Sequence, residues 1–331
     1  MNNLRAVVLG LGLGRQRALG YLQNNGVDLC AVCDVDQNRV NDFLKEHPEV
    51  HGYVDYQTML TAEKPDIVNV STPDWMHLQH AQLALQHNCH VLLEKPMVRT
   101  LADAEELIAA VEASSRTLMV GQNYRRTPIA VLAKQLISEG RLGTLFYAVA
   151  ETFQNKRRQF AKSTWYASAE YPRAALLGTG IHAVDLLRWL IGEVEEAVAY
   201  SNHRAYVEFP GDDFTMVMYR FANGVIGRAG VAYGSVLPRG GGGLTLQLYG
   251  SEGTLHNDRF YVGENGQGEW EHGEVPPMKN PFWQEVDHFI ECLQAGKSPI
   301  VDVYEAARNV AACLAGIEAA KTGKPVKPMR F

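Results

Sequence analysis

Apolar residues follow two alternating textures along the first part of this chain. Short continuous runs at Ala6–Leu9, Val27–Cys33, Asp66–Val70, Val91–Leu93 and Leu118–Val120 predict buried parallel strands. Between them apolar positions recur at helical spacing, as in Ala18, Leu19 and Leu22, then Leu78, Ala81, Leu83 and Leu85, then Leu101, Ala104, Leu107, Ile108 and Val111. The boundary residues agree with this reading. Gly26 closes the first helix, Asp36 is placed to cap the second, and Asn88 tolerates the left-handed backbone at a helix end. Strand alternating with helix in this way predicts a parallel sheet with right-handed crossovers over residues 1–123.

The texture changes after that. A helix over Ile129–Ile137 leads to Gly143 and a long strand, Thr144–Phe153. Ala197–Val262 reads as strands joined in hairpins, with Asn223-Gly224 as a turn signal. Gly240–Gly243 precedes a strand, Leu244–Tyr249, so it reads as a flexible connection and not as a phosphate loop. Helices over Trp283–Leu293 and Val303–Lys321 close the sequence. The expected fold is α/β. A doubly wound parallel sheet of the Rossmann type fills residues 1–123, and residues 124–331 form an α+β domain with a large open, mostly antiparallel sheet. An open one-faced sheet suits pairing with a copy of itself, so a homodimer or homotetramer through the second domain is expected.

Composition narrows the partners. A length of 331 residues suits roughly two domains. The net charge of -6, without a basic stripe, gives no footprint for nucleic acid or an anionic membrane. No run approaches the about 18 apolar residues of a membrane span. The N-terminus enters a strand without a signal-peptide layout, so a cytoplasmic location is expected. An odd number of cysteines, five, suits a reducing compartment. Cys30 and Cys33 match C-x-x-C but lie within a strand, which predicts buried structural thiols.

The chemistry gathers at strand ends. The first strand runs into Gly10-Leu11-Gly12-Leu13-Gly14, a helix follows, and the second strand ends at Asp34. Glycines let backbone approach a pyrophosphate at a helix N-terminus, and a carboxylate about twenty residues on can accept the ribose hydroxyls. The third glycine comes one residue early, and Arg15 stands in its usual place. Asp34 would repel a 2′-phosphate, which favours NAD over NADP. Arg39 is placed either to stack on adenine or to point into solvent. Val91–Leu93 ends in Glu94-Lys95-Pro96, at the strand end where open α/β sheets bind ligands. Successive strand residues face opposite ways, so Glu94 and Lys95 do not serve the same cleft, and the proline can be cis.

A second cluster lies on a helix expected over residues 173–190. Gly178, His182 and Asp185 share a neighbouring face at i−4, i and i+3. Two mid-helix glycines suggest close approach of a ligand or another backbone. His182 suits proton exchange near neutral pH, with Asp185 orienting it or binding a hydroxyl; a histidine satisfied within a domain interface is the plain alternative. No His, Cys or Asp spacing resembles a metal site.

Together these residues resemble the glucose–fructose oxidoreductase, inositol dehydrogenase and rhizopine-catabolism group, Gfo/Idh/MocA. The resemblance is carried by Gly10-Leu11-Gly12, Asp34, Ser71-Thr72-Pro73 with His77, Glu94-Lys95-Pro96, Gly121-Gln122-Asn123-Tyr124-Arg125, and Gly180-Ile181-His182-Ala183-Val184-Asp185. It implies an NAD(P)-dependent oxidoreductase of sugars, polyols or their derivatives. By position, Lys95 would hold the reacting hydroxyl and His182 would act as general base. Asp185, Asn123, Tyr124 and Arg125 would line the substrate cleft. Gly10, Leu11, Gly12, Leu13, Gly14, Arg15, Asp34, Arg39, Ser71, Thr72, Pro73, His77, Glu94 and Lys95 would face the cofactor. One departure stands out: many dehydrogenases of the group carry an aspartate four residues before the histidine, where this chain has Gly178. Tyr166 or the Lys156-Arg157-Arg158 stretch is the expected replacement. Two other activities share the scaffold: a glycosidase working through transient oxidation, and a non-catalytic NAD-binding regulator.

Overall fold

A computed structural model describes residues 3–162, 164–238, 242–263, 268–273 and 279–331. The chain divides into two compact units, 1–123 with 279–307, and 124–278 with 308–331. The single boundary expected near residue 123 is therefore followed by a return to the first unit.

In the first unit, β1 (Leu4–Leu9), α1 (Gly14–Gln23), β2 (Val27–Cys33), α2 (Gln37–Glu46), β3 (His51–Tyr53), α3 (Tyr56–Glu63) and β4 (Ile67–Val70) follow in order. Then come α4 (His77–Gln86), β5 (His90–Glu94), α5 (Leu101–Ser114) and β6 (Leu118–Gly121). The sheet runs β3-β2-β1-β4-β5-β6 with every pair parallel, as expected of a doubly wound fold. Its order reverses between β1 and β4, which marks the carboxyl ends of those strands as the ligand edge. The helix signals behave as their chemistry dictates. Asp36 caps α2 by accepting from the Asn38 amide, and Asn88 has φ +64° just after α4.

Two elements, β3 and α3, escaped the hydrophobic pattern. His51-Gly52-Tyr53 is an edge strand of three residues with two exposed, so it carries no apolar run. α3 is announced by its cap, Asp55, which accepts from the Thr58 amide at 2.7 Å.

The second unit holds α6 (Pro128–Ser138), β7 (Leu145–Phe153), α7 (Arg157–Lys162), a π turn at Leu176–Gly180, and α8 (Ile181–Ile191). The strands β8 (Val194–Asn202), β9 (Phe214–Phe221), β10 (Ile226–Ala232), β11 (Gly243–Gly250), β12 (Gly253–His256), β13 (Arg259–Val262) and β14 (Glu271–His272) follow. They form an eight-stranded sheet, β14-β13-β12-β11-β7-β10-β9-β8, antiparallel except where β7 meets β10. Gly224 has φ +88° in the β9–β10 turn, as the Asn223-Gly224 signal requires. Of the glycine run expected to be a flexible connection, residues 240 and 241 lie outside the described residues.

The sheet has an apolar inner face, including Ala197, Val217, Tyr219, Ala229 and Val231. The opposite face is open. Cross-strand register there sets Val198 beside Met218 and Tyr200 beside Met216, and Tyr200 is 84% exposed.

The last two helices are α9 (Pro281–Ala295) and α10 (Val303–Thr322), the unit boundary falling inside α10 after Ala307. Val286, Phe289 and Ile290 of α9 are buried in one cluster with Ala18 and Tyr21 of α1, Val8 of β1 and Leu92 of β5. A Cβ at Gly20 would lie 3.2 Å from the Trp283 backbone, so glycine sets how closely α1 and α9 approach. Among the described residues, no helix is long and apolar enough to cross a membrane.

Candidate active site

The glycine turn after β1 is held by its neighbours. Gly10 has φ +89°, and a Cβ there would lie 2.5 Å from the Ser71 carbonyl oxygen, so only glycine lets the β1 and β4 loops meet. Asp34 is 6% exposed; its carboxylate accepts the Leu11 amide at 2.7 Å and the Asp36 amide at 2.9 Å. Arg39 Nη1 reaches the same carboxylate at 3.4 Å, and a Cβ at Gly12 would have Arg39 as its nearest neighbour, at 3.9 Å. α1 starts behind Leu13 with no acidic residue in its first turn. An α1 N-terminus with no side-chain cap, a glycine backbone that can be approached and a carboxylate at the end of β2 fit a dinucleotide.

Several residues expected at the cofactor are committed to the scaffold. Arg15 pairs with Glu46 at 2.7 Å and lies over the Phe43 ring. Ser71 Oγ accepts from Asn69 Nδ2 at 2.8 Å. The His77 ring spans two loops, Nδ1 2.7 Å from the Pro96 carbonyl and Nε2 2.9 Å from that of Thr72. Burial pushes its pKa below the ordinary value, while Asp74 and the two carbonyls oppose that shift.

Glu94 turns inward. Arg17 Nη1 donates to it at 2.5 Å, and Arg17 Nη2 donates to Glu285 of α9 at 2.8 Å, with the arginine side chain 1% exposed. Burial pushes the Glu94 pKa up, but Arg17 and then Lys95 outweigh it and hold the carboxyl below its usual range. The next bond, Lys95-Pro96, is cis. Lys95 itself is half-buried at the carboxyl end of β5.

In the second unit the π turn leads directly into α8. His182 is 5% exposed and stacks on Tyr124, ring centroids 4.0 Å apart and planes 7° from parallel. Gln154 Nε2 donates to the Tyr124 hydroxyl oxygen at 3.3 Å. Asp185, one turn on, is wholly buried. Arg125 grips it with two bonds, Nε to Oδ2 at 2.9 Å and Nη2 to Oδ1 at 2.7 Å, and Asn309 Nδ2 adds a third at 2.6 Å. Asn309 Oδ1 accepts from Arg188 at 2.5 Å, which continues the network along α8. Both Asp185 and Arg125, expected at the substrate, thus anchor α8 from within the second unit. Asn123, where the chain first leaves the first unit, has a buried side-chain oxygen with no hydrogen-bond partner among the described residues.

Tyr166 stacks between Trp165 and Phe160, with the Arg173 guanidinium 5.1 Å from its ring centre. Arg157 bonds the Ala205 and Gly234 carbonyls and lies over Tyr206. Neither is the group nearest to where a side chain would begin at Gly178. The atom there is the hydroxyl oxygen of Tyr233, a residue that no periodicity or motif singled out. Of the C-x-x-C pair, Cys33 is buried as expected but Cys30 is only half-buried; burial raises both thiols, Cys33 to about 12, and both are free. Among the described residues no group of His, Cys, Asp or Glu could hold a metal.

Residues 4–122 match the family described as "Oxidoreductase family, NAD-binding Rossmann fold", and residues 131–256 match the GFO/IDH/MocA C-terminal domain. The chain belongs to the GFO/IDH/MocA family. It is accordingly an NAD-binding oxidoreductase. Among its relatives, the D-apiose dehydrogenase of Paraburkholderia graminis is 26% identical over 99% of this chain and 90% of that protein. Inositol 2-dehydrogenase of Salmonella paratyphi B is 28% identical over 57% of this chain and 55% of its own length. The solved WlbA dehydrogenase of Bordetella pertussis, in complex with NADH and UDP-GlcNAcA, shares the fold with a TM-score of 0.85. It covers all of both chains at 23% identity.

Proposed function

We propose that the protein oxidises a secondary alcohol of a cyclic sugar, polyol or sugar derivative with NAD. His182 is the general acid/base, and Lys95 positions the hydroxyl. NAD, when bound, supplies the hydride acceptor. Residues 1–123 hold the dinucleotide: the Gly10–Gly14 turn and the α1 N-terminus receive its pyrophosphate, and Asp34 takes a ribose hydroxyl and disfavours a 2′-phosphate. The second unit, residues 124–278 with 308–331, holds the substrate and the surfaces for self-association.

The observation that carries this reading is the inward lock of Glu94 on Arg17 and Glu285. Lys95 is the next residue, at the carboxyl end of β5, and in this reading its ammonium donates to the substrate oxygen and stabilises the charge that develops on it. His182, held flat against Tyr124, takes the hydroxyl proton on a ring nitrogen. Asp185 and Arg125 keep α8 in register, so His182 keeps its orientation.

The test is a panel of polyols, aldoses, uronates and glycosides with NAD and NADP in parallel, read by reduced-cofactor absorbance. Turnover with NAD that is lost in Lys95→Ala and in His182→Ala is expected. Full turnover in Lys95→Ala overturns the assignment. Glycoside cleavage without accumulating NADH would instead point to the transient-oxidation glycosidase. Tight NAD binding without turnover on any compound would point to a regulator. Self-association through the open sheet face around Val198 and Tyr200 is part of the same reading, and sizing of Tyr200→Glu tests it.

A further inference from the structure

The turn that presents His182 is shaped from outside. Gly178 lies one turn ahead of the histidine in the π turn Leu176–Gly180. A Cβ built at 178 would fall inside the contact shell of the Tyr233 hydroxyl oxygen, while the next nearest atoms, Arg173 Nη2 and Tyr233 Cζ, are 3.7 Å away. One hydroxyl group therefore closes that slot. Gly180 meets β10 in the same manner, with Val231 Cβ 3.1 Å from where its own Cβ would be.

Tyr233 is built to stay there. It is 2% exposed, and Phe160 and Phe209 hold its ring edge-on, at 5.3 and 5.1 Å between centroids. Its amide donates to the Asp213 carbonyl at 2.9 Å, and its own carbonyl accepts from the Lys156 amide at 2.8 Å. Thr179 Oγ1 donates to the Tyr233 hydroxyl oxygen at 3.1 Å, from the middle of the π turn. A π turn is a rare backbone form, and two glycines add conformational freedom to it. Such a turn needs an external contact to hold one geometry.

We propose that Tyr233 is the positioning residue for His182. Its hydroxyl occupies the slot one turn ahead of the histidine and, through Thr179, fixes the wide turn from which the imidazole is presented. It also makes glycine obligatory at 178. The inference rests on the reading of His182 as the base, and it names the group that orients it.

Four proteins test this: wild type, Tyr233→Phe, Gly178→Ala and the double variant. Tyr233→Phe keeps the packed ring and removes only the hydroxyl. It is expected to lower kcat about tenfold on the panel sugar with the highest turnover, with KM for that sugar and for NAD little changed. Its His182 ring resonance, assigned by its loss in His182→Asn, should shift in the histidine NMR spectrum. Gly178→Ala should lower the thermal midpoint by about 5 °C in the wild-type background and much less beside Tyr233→Phe, because the clashing atom is gone. The proposal stands only if both the ring shift and this coupling are seen, and absence of either overturns it. If wild type oxidises no panel compound, the dehydrogenase reading fails, while the ring signal and the thermal coupling still decide the role of Tyr233.

Discussion

Tyr124 and His182 lie face to face, 4.0 Å between ring centres and 7° from parallel, although 58 positions separate them in the sequence. The stack fixes the plane of the imidazole, while the Tyr124 hydroxyl is occupied by Gln154. Tyr124→Leu, which loses the flat face, is expected to reduce kcat about tenfold. Tyr124→Phe keeps the face and should stay within about twofold of wild type. Steady-state kinetics of the two variants separates stacking from hydrogen bonding.

Arg17 joins two buried carboxylates, Glu94 and Glu285. Removing one partner of a buried ionic cluster leaves uncompensated charge, so Arg17→Met should cost about 3–5 kcal/mol in denaturant unfolding. Adding Glu94→Gln and Glu285→Gln to Arg17→Met removes the stranded charges and should recover most of that loss. A triple variant as unstable as the single one would show that packing around Arg17, not charge, sets its contribution.

His80 gives a prediction in pH. Burial, and then the neighbouring His77, push its imidazole from 6.5 down to about 4. The unfolded chain therefore takes up a proton that the folded chain refuses. The stability is fully present above about pH 6.5 and drains as pH falls toward 4. With allowance for solvent screening, His80→Gln should remove about 1 kcal/mol of the stability lost between pH 7 and 5. Thermal unfolding of the two proteins at both pH values measures it.

Asp34 accepts two backbone amides, and in the proposed function its charge opposes a 2′-phosphate. Asp34→Asn keeps an acceptor for the turn and loses the charge. Its preference for NAD over NADP, as the ratio of kcat/KM values, should fall about tenfold. An unchanged ratio would place the discrimination elsewhere in the turn.

The strands of the first unit could be read because parallel strands buried on both faces need unbroken apolar runs, as in Val91–Leu93. The glycine turn after β1, Asp34 after β2 and Lys95-Pro96 after β5 could be placed because apolar strands end at polar or turn-forming residues. β3 could not, since an exposed edge of three residues leaves no apolar signature. The return of 279–307 to the first unit was equally silent: Val286 and Phe289 show that α9 has a buried side, but periodicity does not say against what. At Gly178 the sequence showed a gap and not its filling. The hydroxyl that closes it comes from a single tyrosine just after β10, and of the expected candidates Tyr166 and Arg157 are engaged with other rings and carbonyls.

The contact between Arg17 and Glu285 spans 268 positions. During synthesis Arg17 and Glu94 leave the ribosome early, whereas Glu285 follows only after the whole of residues 124–278. The dinucleotide unit therefore cannot finish folding as a nascent N-terminal piece. A chain arrested after residue 123 would hold β1 to β6 yet lack α9, exposing the side of α1 that Val286 and Phe289 cover. The nucleotide-binding half is completed late, which ties its maturation to translation of the whole intervening unit.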